Sequence, residues 1–479
     1  MPPPTLPLAA EFAPATRAGW LAAVRKTLKG AAIETLAGRT PDGLAVRPLY
    51  TAADPTPPAT FPHARRDGAA AWDIRAAIAH PDPARANAQM LEDLAGGASS
   101  ILIRIDPTGR NGVAVGSADG LARLLDGVMM DVAPVAFDAG FLGLQAAQWL
   151  AAAAKASPGA PLAFHLDPLS AFGAAGASPG PVEHHVTVAA DYASRVAETY
   201  PRASLFRTGG GLVHEAGGSP GLELAVAAAC AVAYARALVI AGMSADVAFG
   251  RIVLGLSVDG DVLSSIAKLR AARIVWAKIS GACGAAGPAR IEARSSRRML
   301  TRADPWTNLV RLTAAGFAAA AGGADAIVLG AFTDALGLPS PLARRLARDT
   351  QLILMEEAHL GRVADPLAGA WAIEALADDL ARAAWSRFTA IEAAGGIAPA
   401  LASGMIAAEV QADRAALKGA IAGGEIKIVG VTDFVGAATG VVEIETRPTI
   451  STPTPDPRLP GPDSHCPALA SIRLEELAA

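Results

Sequence analysis

At 479 residues, 52% of them hydrophobic and 18% charged, the chain can bury a large core. That length accommodates two or three domains, or one α/β barrel with extensions. A formal charge of −4 gives no reason to expect a nucleic-acid partner. Cys230, Cys283 and Cys466 lie far apart with no CxxC pair. This excludes a disulfide framework or a cysteine zinc cluster and fits a reducing, cytoplasmic setting.

The N-terminus, MPPPTLPLAAEF, lacks a basic n-region and is broken by prolines, so it does not read as a signal peptide. Residues 1–70 read as an N-terminal extension for subunit contacts. Trp20, Leu21 and Val24 mark one amphipathic helix ending near Gly30, and a proline-rich connection runs from Asp54 to Pro62. From residue 71 the pattern becomes repetitive. Short apolar or β-branched runs recur at 72–78, 100–106, 133–140, 162–168, 203–210, 251–257, 290–296 and 325–332.

Helical segments lie between most of these runs. The most apolar window, Leu222 to Ile240, holds Glu223 and Arg236 and reads as a buried Ala-rich helix, with no membrane partner expected. In residues 261–276, Val262, Ile266, Leu269, Ala272 and Trp276 share one face at three- and four-residue steps. Eight strands alternating with helices match a (β/α)8 TIM barrel, although an open doubly wound sheet would alternate similarly.

Ser340 and Pro341 predict the N-cap and first position of a helix reaching about Leu360. A second stripe, Ile373, Leu376, Leu380, Ala384, Phe388 and Ile391, stops at Gly395-Gly396. The barrel and these trailing helices are assigned to residues 71–445. Residues 446–479 read as a proline-rich tail, extended or disordered, with one short helical segment within Ala468–Leu477.

The stretch 203–218, ASLFRTGGGLVHEAGG, has the layout of a strand end in an α/β protein, where sites are built. Its glycines, Gly209 to Gly211, predict a turn with positive φ; Walker spacing and a following lysine are missing. His165 and His214, near strand ends, read as hydrogen-bonded structural residues. Glu183-His184-His185 reads as a solvated helix start. Asp106, Asp138 and Asp167 could form a network at the barrel mouth, or cap the following helix or turn. No metal site is assigned, Asp463-Ser464-His465-Cys466 included.

Several stretches resemble the methylmalonyl-CoA mutase family. They are TRADPWTNLVR from residue 301, GGADAIVLGAFTDALGLPSPLARRLARDTQLILMEEAHLGRVADPLAGAW to Trp371, IAKLRAARIVW from Ile266, TPDGLAVRPLY near the start and KIVGVTDF at Lys427. The likeness runs in order from about residue 15 to 445. It implies a coenzyme-A-binding barrel and a radical rearrangement of an acyl-CoA begun by adenosylcobalamin, the cofactor carrying that chemistry. It also leads one to expect a cobalamin-binding domain with an Asp-x-His-x-x-Gly motif. The tail after Phe434 is too short for a domain of ~100 residues or more, so no C-terminal cobalamin-binding domain is expected.

The mouth departs from the family pattern. Active members carry Ser-Gly-Tyr-His-x-x-Glu-Ala-Gly at the fifth strand. Aligned on Glu215-Ala216-Gly217, Gly211 stands for the tyrosine and Leu212 for the histidine that hydrogen-bonds the thioester carbonyl; His214 comes two residues later. At the first strand Ala77 replaces a tyrosine wedge. At the fourth, His165 falls within a loosely matching AFHLD, and the carboxylate-pairing arginine has no clear equivalent in SAFGAAGASPG. No catalytic residue is therefore assigned. The resemblance implies a small, non-catalytic subunit of a heterodimeric mutase, partnered by a large catalytic subunit that carries adenosylcobalamin. The alternatives are a substrate-binding subunit served by a separate cobalamin protein, or a non-enzymatic barrel binding an acyl-CoA.

Overall fold

The structure is a computed structural model describing residues 11, 15–54, 71–436 and 440–478. The eight predicted runs form β1 (Asp73–Ile78), β2 (Ser100–Arg104), β3 (Val135–Asp138), β4 (Ala163–Leu166), β5 (Ser204–Gly209), β6 (Ile252–Val258), β7 (Arg290–Ser295) and β8 (Ala326–Val328). Each pairs in parallel with the next, and β8 returns to β1 to close a barrel. The alternation thus belongs to a (β/α)8 barrel and not to an open sheet. β6, IVLGLSV, is buried at every residue, as a strand covered on both faces requires.

The helix Pro220–Ile240 is long and apolar enough to cross a membrane by length and composition. It packs instead on β5, β6 and the helix Val262–Ala282. Its Glu223 is fully buried, accepting from Lys268 Nζ at 2.5 Å and from the Ser257 amide at 2.6 Å. Val262–Ala282 runs beyond the predicted stripe, and charged residues within the stripe find partners inside the fold. Arg273 donates to the Ala289 carbonyl at 2.8 Å, and Arg270 pairs with Asp365 at 2.8 Å and with Glu374. Arg270 thereby ties the barrel to the helix Trp371–Ala393.

Ser340 caps the helix Pro341–Leu352 by accepting from the Ala343 amide, and a π-turn continues it to Glu357. In the N-terminal extension the helix Arg17–Thr27 buries no residue. A hairpin of Gly38–Arg39 with Ala45–Val46 is anchored through Asp42, which accepts from the Gly221 amide and pairs with Arg387 at 2.6 Å. Beyond Asp54, the predicted proline-rich connection lies outside the described residues.

The tail is extended as predicted, but it is not free. Thr452 donates to the Pro107 carbonyl, and Leu459 to Pro179. Ser464–His465 pairs antiparallel with Ala177–Ser178, and Asp463 accepts from the Gly180 amide at 3.0 Å. Leu469 is buried, Ile472 donates to the Glu215 carbonyl, and Leu474 to Arg298. The expected helical segment shrinks to Leu474–Leu477. The tail is a strap over the C-terminal ends of the strands, held by backbone hydrogen bonds its prolines leave intact.

Inside the barrel, Glu292 of β7 is 1% exposed and is the common partner of three guanidiniums. Arg75 of β1 reaches it at 2.5 Å, Arg207 of β5 at 2.7 Å and Arg294 of β7 at 2.8 Å. Arg294 also pairs with Asp138 at 3.0 Å, and Arg75 with Asp73 at 2.7 Å. His165 Nδ1 lies 3.8 Å from Glu292. Its side chain turns inward where the β4–β5 register is irregular and its own backbone is left-handed, at φ +48. Burial opposes charge on Glu292, yet Arg294, Arg207 and Arg75 together hold its carboxyl well below the usual range.

Removing one partner of a buried pair strands the others. Glu292→Gln should therefore lower the unfolding free energy by about 3–5 kcal/mol, read from urea denaturation followed by circular dichroism. An unchanged midpoint would separate this cluster from stability.

Burial pushes His165 down to about 3, so it stays neutral when folded. An unfolded histidine titrates near ~6.5, so between those values the unfolded chain binds the extra proton and stability falls as pH drops. His165→Asn, which tolerates the left-handed backbone, should flatten the stability–pH slope between about pH 4.5 and 6.5 by roughly one proton's worth. A slope identical to the parent's would refute this.

Candidate functional site

The C-terminal ends of the strands surround a cavity of about 590 Å³, whose lining includes Asp138, His165, Arg207, Leu212 and Arg294, with Ile472 of the strap. The ionic cluster around Glu292 is its floor. The fifth-strand stretch folds differently from the predicted glycine turn: none of Gly209, Gly210 and Gly211 has positive φ. Gly209 ends β5 and the next two residues open a short helix, Gly210–Glu215. Glycine is required at 209 by crowding, since a Cβ there would stand 1.7 Å from Ser170 Oγ. At Gly211 an added Cβ would come within 3.0 Å of Ser257 Oγ, so Ser257 would have to give way to any side chain.

Leu212 is half-buried, lines the cavity and lies over Gly173. It brings no hydrogen-bond donor to the mouth. His214 sits beneath, 1% exposed, with Nε2 2.8 Å from Ser296 Oγ and Nδ1 3.6 Å from Glu223. Burial, with the charges of Arg298 and Lys268, keeps it neutral. The row Ser296, His214, Glu223 resembles a nucleophile, base and orienting acid. Ser296 is fully buried, however, so no substrate reaches it.

Ala77 is exposed and opens onto an adjoining side recess with Leu102, Arg104 and Arg447, which shares Arg104 and Arg297 with the main cavity. Of the five singled-out positions, His165, Gly211 and Leu212 share the main cavity; His214 and Ala77 do not. The three aspartates divide. Asp106 closes a turn through the Thr108 and Asn111 amides, and Asp167 caps the helix Pro168–Ala175 while accepting from Tyr234 at 2.6 Å. Asp138 joins the arginine network, and the guanidinium charges hold it down at about 2 against its burial.

The reading of residues 183–185 as solvated holds only in part. His185 is buried, with Nε2 3.0 Å from the Pro179 carbonyl, because the helix Val182–Thr199 turns that face inward. Asp463, Ser464 and Cys466 serve as strap pins, with Cys466 Sγ 3.4 Å from the Phe172 carbonyl. Among the described residues no three metal-binding side chains gather.

Sequence reasoning missed the ionic floor. Its signal was charge at alternate positions of otherwise apolar strands, Glu292 and Arg294 in RIEARS and Arg75 in DIRAAI, which a two-residue period aims inward together. Although the fourth strand lacks the carboxylate-binding arginine, other arginines reach the cavity: Arg104 from the end of β2, and Arg297 and Arg302 from the segment after β7.

These residues do not fit adenosylcobalamin. Ser471, Ile472, Arg473 and Glu476 of the strap line the mouth, and the imidazoles of His165 and His214 are buried, so neither is offered there as an exposed cobalt ligand.

A family model described as methylmalonyl-CoA mutase matches residues 40–451. The chain is similar to the methylmalonyl-CoA mutase small subunit of Streptomyces virginiae, 38% identical across 94% of this chain and 75% of that protein. It is 39% identical to the probable small subunit of Mycobacterium tuberculosis H37Rv, across 83% of this chain and 66% of that protein. The large subunit of Streptomyces virginiae is 29% identical, across 87% of this chain and 61% of that protein. The chain thus spans about two thirds to three quarters of the small-subunit relatives. With a family match over most of its length and a closed eight-stranded barrel behind it, the chain belongs to the methylmalonyl-CoA mutase family.

Proposed function

We propose that this chain is the small, non-catalytic subunit of a two-subunit methylmalonyl-CoA mutase, working in the cytoplasm beside a large catalytic subunit. The observation that carries this reading is Leu212. It lines the mouth where the resemblance expects the histidine that polarises the thioester carbonyl, and it has nothing to donate. Relatives named small subunit, and separate small and large subunits in Streptomyces virginiae, support the pairing. In the assembled enzyme adenosylcobalamin supplies the radical, and in this reading the large subunit holds it.

The role of this chain's own residues is then architectural. Glu292 and its arginines place paired charge inside the barrel, which weighs against the acyl-CoA-binding alternative. The partner contact in this reading includes the helix Arg17–Thr27, whose Trp20, Leu21 and Val24 are only half-covered by this chain. Obligate interfaces of this kind bury upwards of ~2,000 Å² and are apolar.

Leu212→Ala, in complex with the wild-type large subunit, should keep mutase activity within about twofold. Truncating a half-buried leucine should cost less than the ~2–5 kcal/mol of a fully buried one. A complex assembled by size exclusion but stripped of most activity would put chemistry back into this barrel.

Removing residues 1–30 should weaken association with the large subunit at least tenfold while moving the melting temperature of the isolated chain by no more than a few degrees. Equal affinity of the truncated and full chains would remove the helix from the interface.

A further inference from the structure

We propose that the mouth cavity binds a small phosphate-bearing polyanion, held by Arg104, Arg297 and Arg302 of the barrel and Arg473 of the strap. The proposal does not depend on the mutase reading. Of the arginines lining the cavity, Arg207 and Arg294 are matched below by Glu292. The other four are not matched in this way. Among the described residues Arg104 pairs within 4 Å with Asp138 alone, at 3.7 Å, and that carboxylate already takes Arg294 at 3.0 Å. Among the described residues the guanidiniums of Arg297, Arg302 and Arg473 form no ion pair within 4 Å; Arg302 Nε donates to the Ala335 carbonyl at 3.1 Å.

Carboxylates are present, but the backbone takes them. Glu215 accepts from the Arg297 amide, Glu476 from the Arg473 amide and Asp334 from the Ala331 amide. Burial also moves Glu215 and Asp334 upward, toward their neutral forms. The guanidiniums meanwhile press on one another. Burial, with the charges of Arg297 and Arg294, pushes Arg104 down, although Asp138 and Asp334 oppose this; burial, with Arg297 and Arg302, does the same to Arg473 against Glu475 and Glu476. An entering anion would relieve both.

The arrangement favours phosphate over carboxylate. A planar carboxylate is satisfied by one guanidinium fork, whereas a tetrahedral group offers oxygens in several directions. Here the forks come from the end of β2, from two positions beyond β7 and from the strap. A volume of about 590 Å³ is that of a small-ligand pocket.

Inorganic pyrophosphate is the probe, titrated calorimetrically into the full chain at low ionic strength. Saturable one-to-one binding is expected. Arg297→Ala and Arg473→Ala should each weaken it about tenfold or more, with Arg302→Ala as a further variant if either fails the circular-dichroism check. Arg345→Ala, on the exposed face of the helix Pro341–Leu352, should bind as the parent does. No saturation by about 10 mM pyrophosphate, or equal binding by all variants, would overturn the proposal. Succinate bound as tightly, with the same arginine dependence, would overturn the phosphate assignment.

Discussion

The structure hangs on one carboxylate. Glu292, nearly sealed from solvent, accepts from guanidiniums on β1, β5 and β7. Buried charge persists only where partners replace the lost hydration, so the position of Glu292 dictates where Arg75, Arg207 and Arg294 point. Those directions in turn determine that the barrel interior is ionic and that the mouth has a solid floor. Burial, with these three guanidiniums beside it, keeps His165 neutral against the pull of Glu292.

A second buried pair repeats the logic outside the barrel wall. Glu223 and Lys268 meet between two long helices at full burial, with the Ser257 amide completing the carboxylate. His214 is drawn into this cluster and away from the mouth. Its displacement by two residues from the expected histidine is therefore more than a shift in spacing. It reflects a different set of contacts, with Ser296 above it and Glu223 beside it.

The strands were legible because each is a short apolar run between helical stripes, a signal that survives without any knowledge of packing. The loss of a donor at Leu212 was equally readable, since it depends on residue type alone. What escaped was whatever depends on partners distant in sequence. Arg75 and Glu292 are 217 positions apart, and nothing local marks them as a pair. The glycines at 209–211 escape a reading from sequence because φ and crowding both select glycine, and only distant neighbours distinguish them: Ser170 at 209, Ala227 and two carbonyls at 210, Ser257 at 211. The extended backbone of the tail follows from its proline-rich composition, but its docking does not, because edge-to-edge backbone pairing needs partners distant in sequence.

The strap has a consequence for how the chain assembles. Its contacts join residues up to 345 positions apart, among the most distant pairings in the protein. Closing loops of that size costs entropy that only a preformed surface can offset. The strap also touches the ends of several different strands, from the Pro107 carbonyl after β2 to Arg298 after β7. That surface exists only once the barrel has closed. Docking of residues 447–478 is therefore a late event on the folding route, and a nascent barrel passes through an interval with its arginine-lined mouth uncovered.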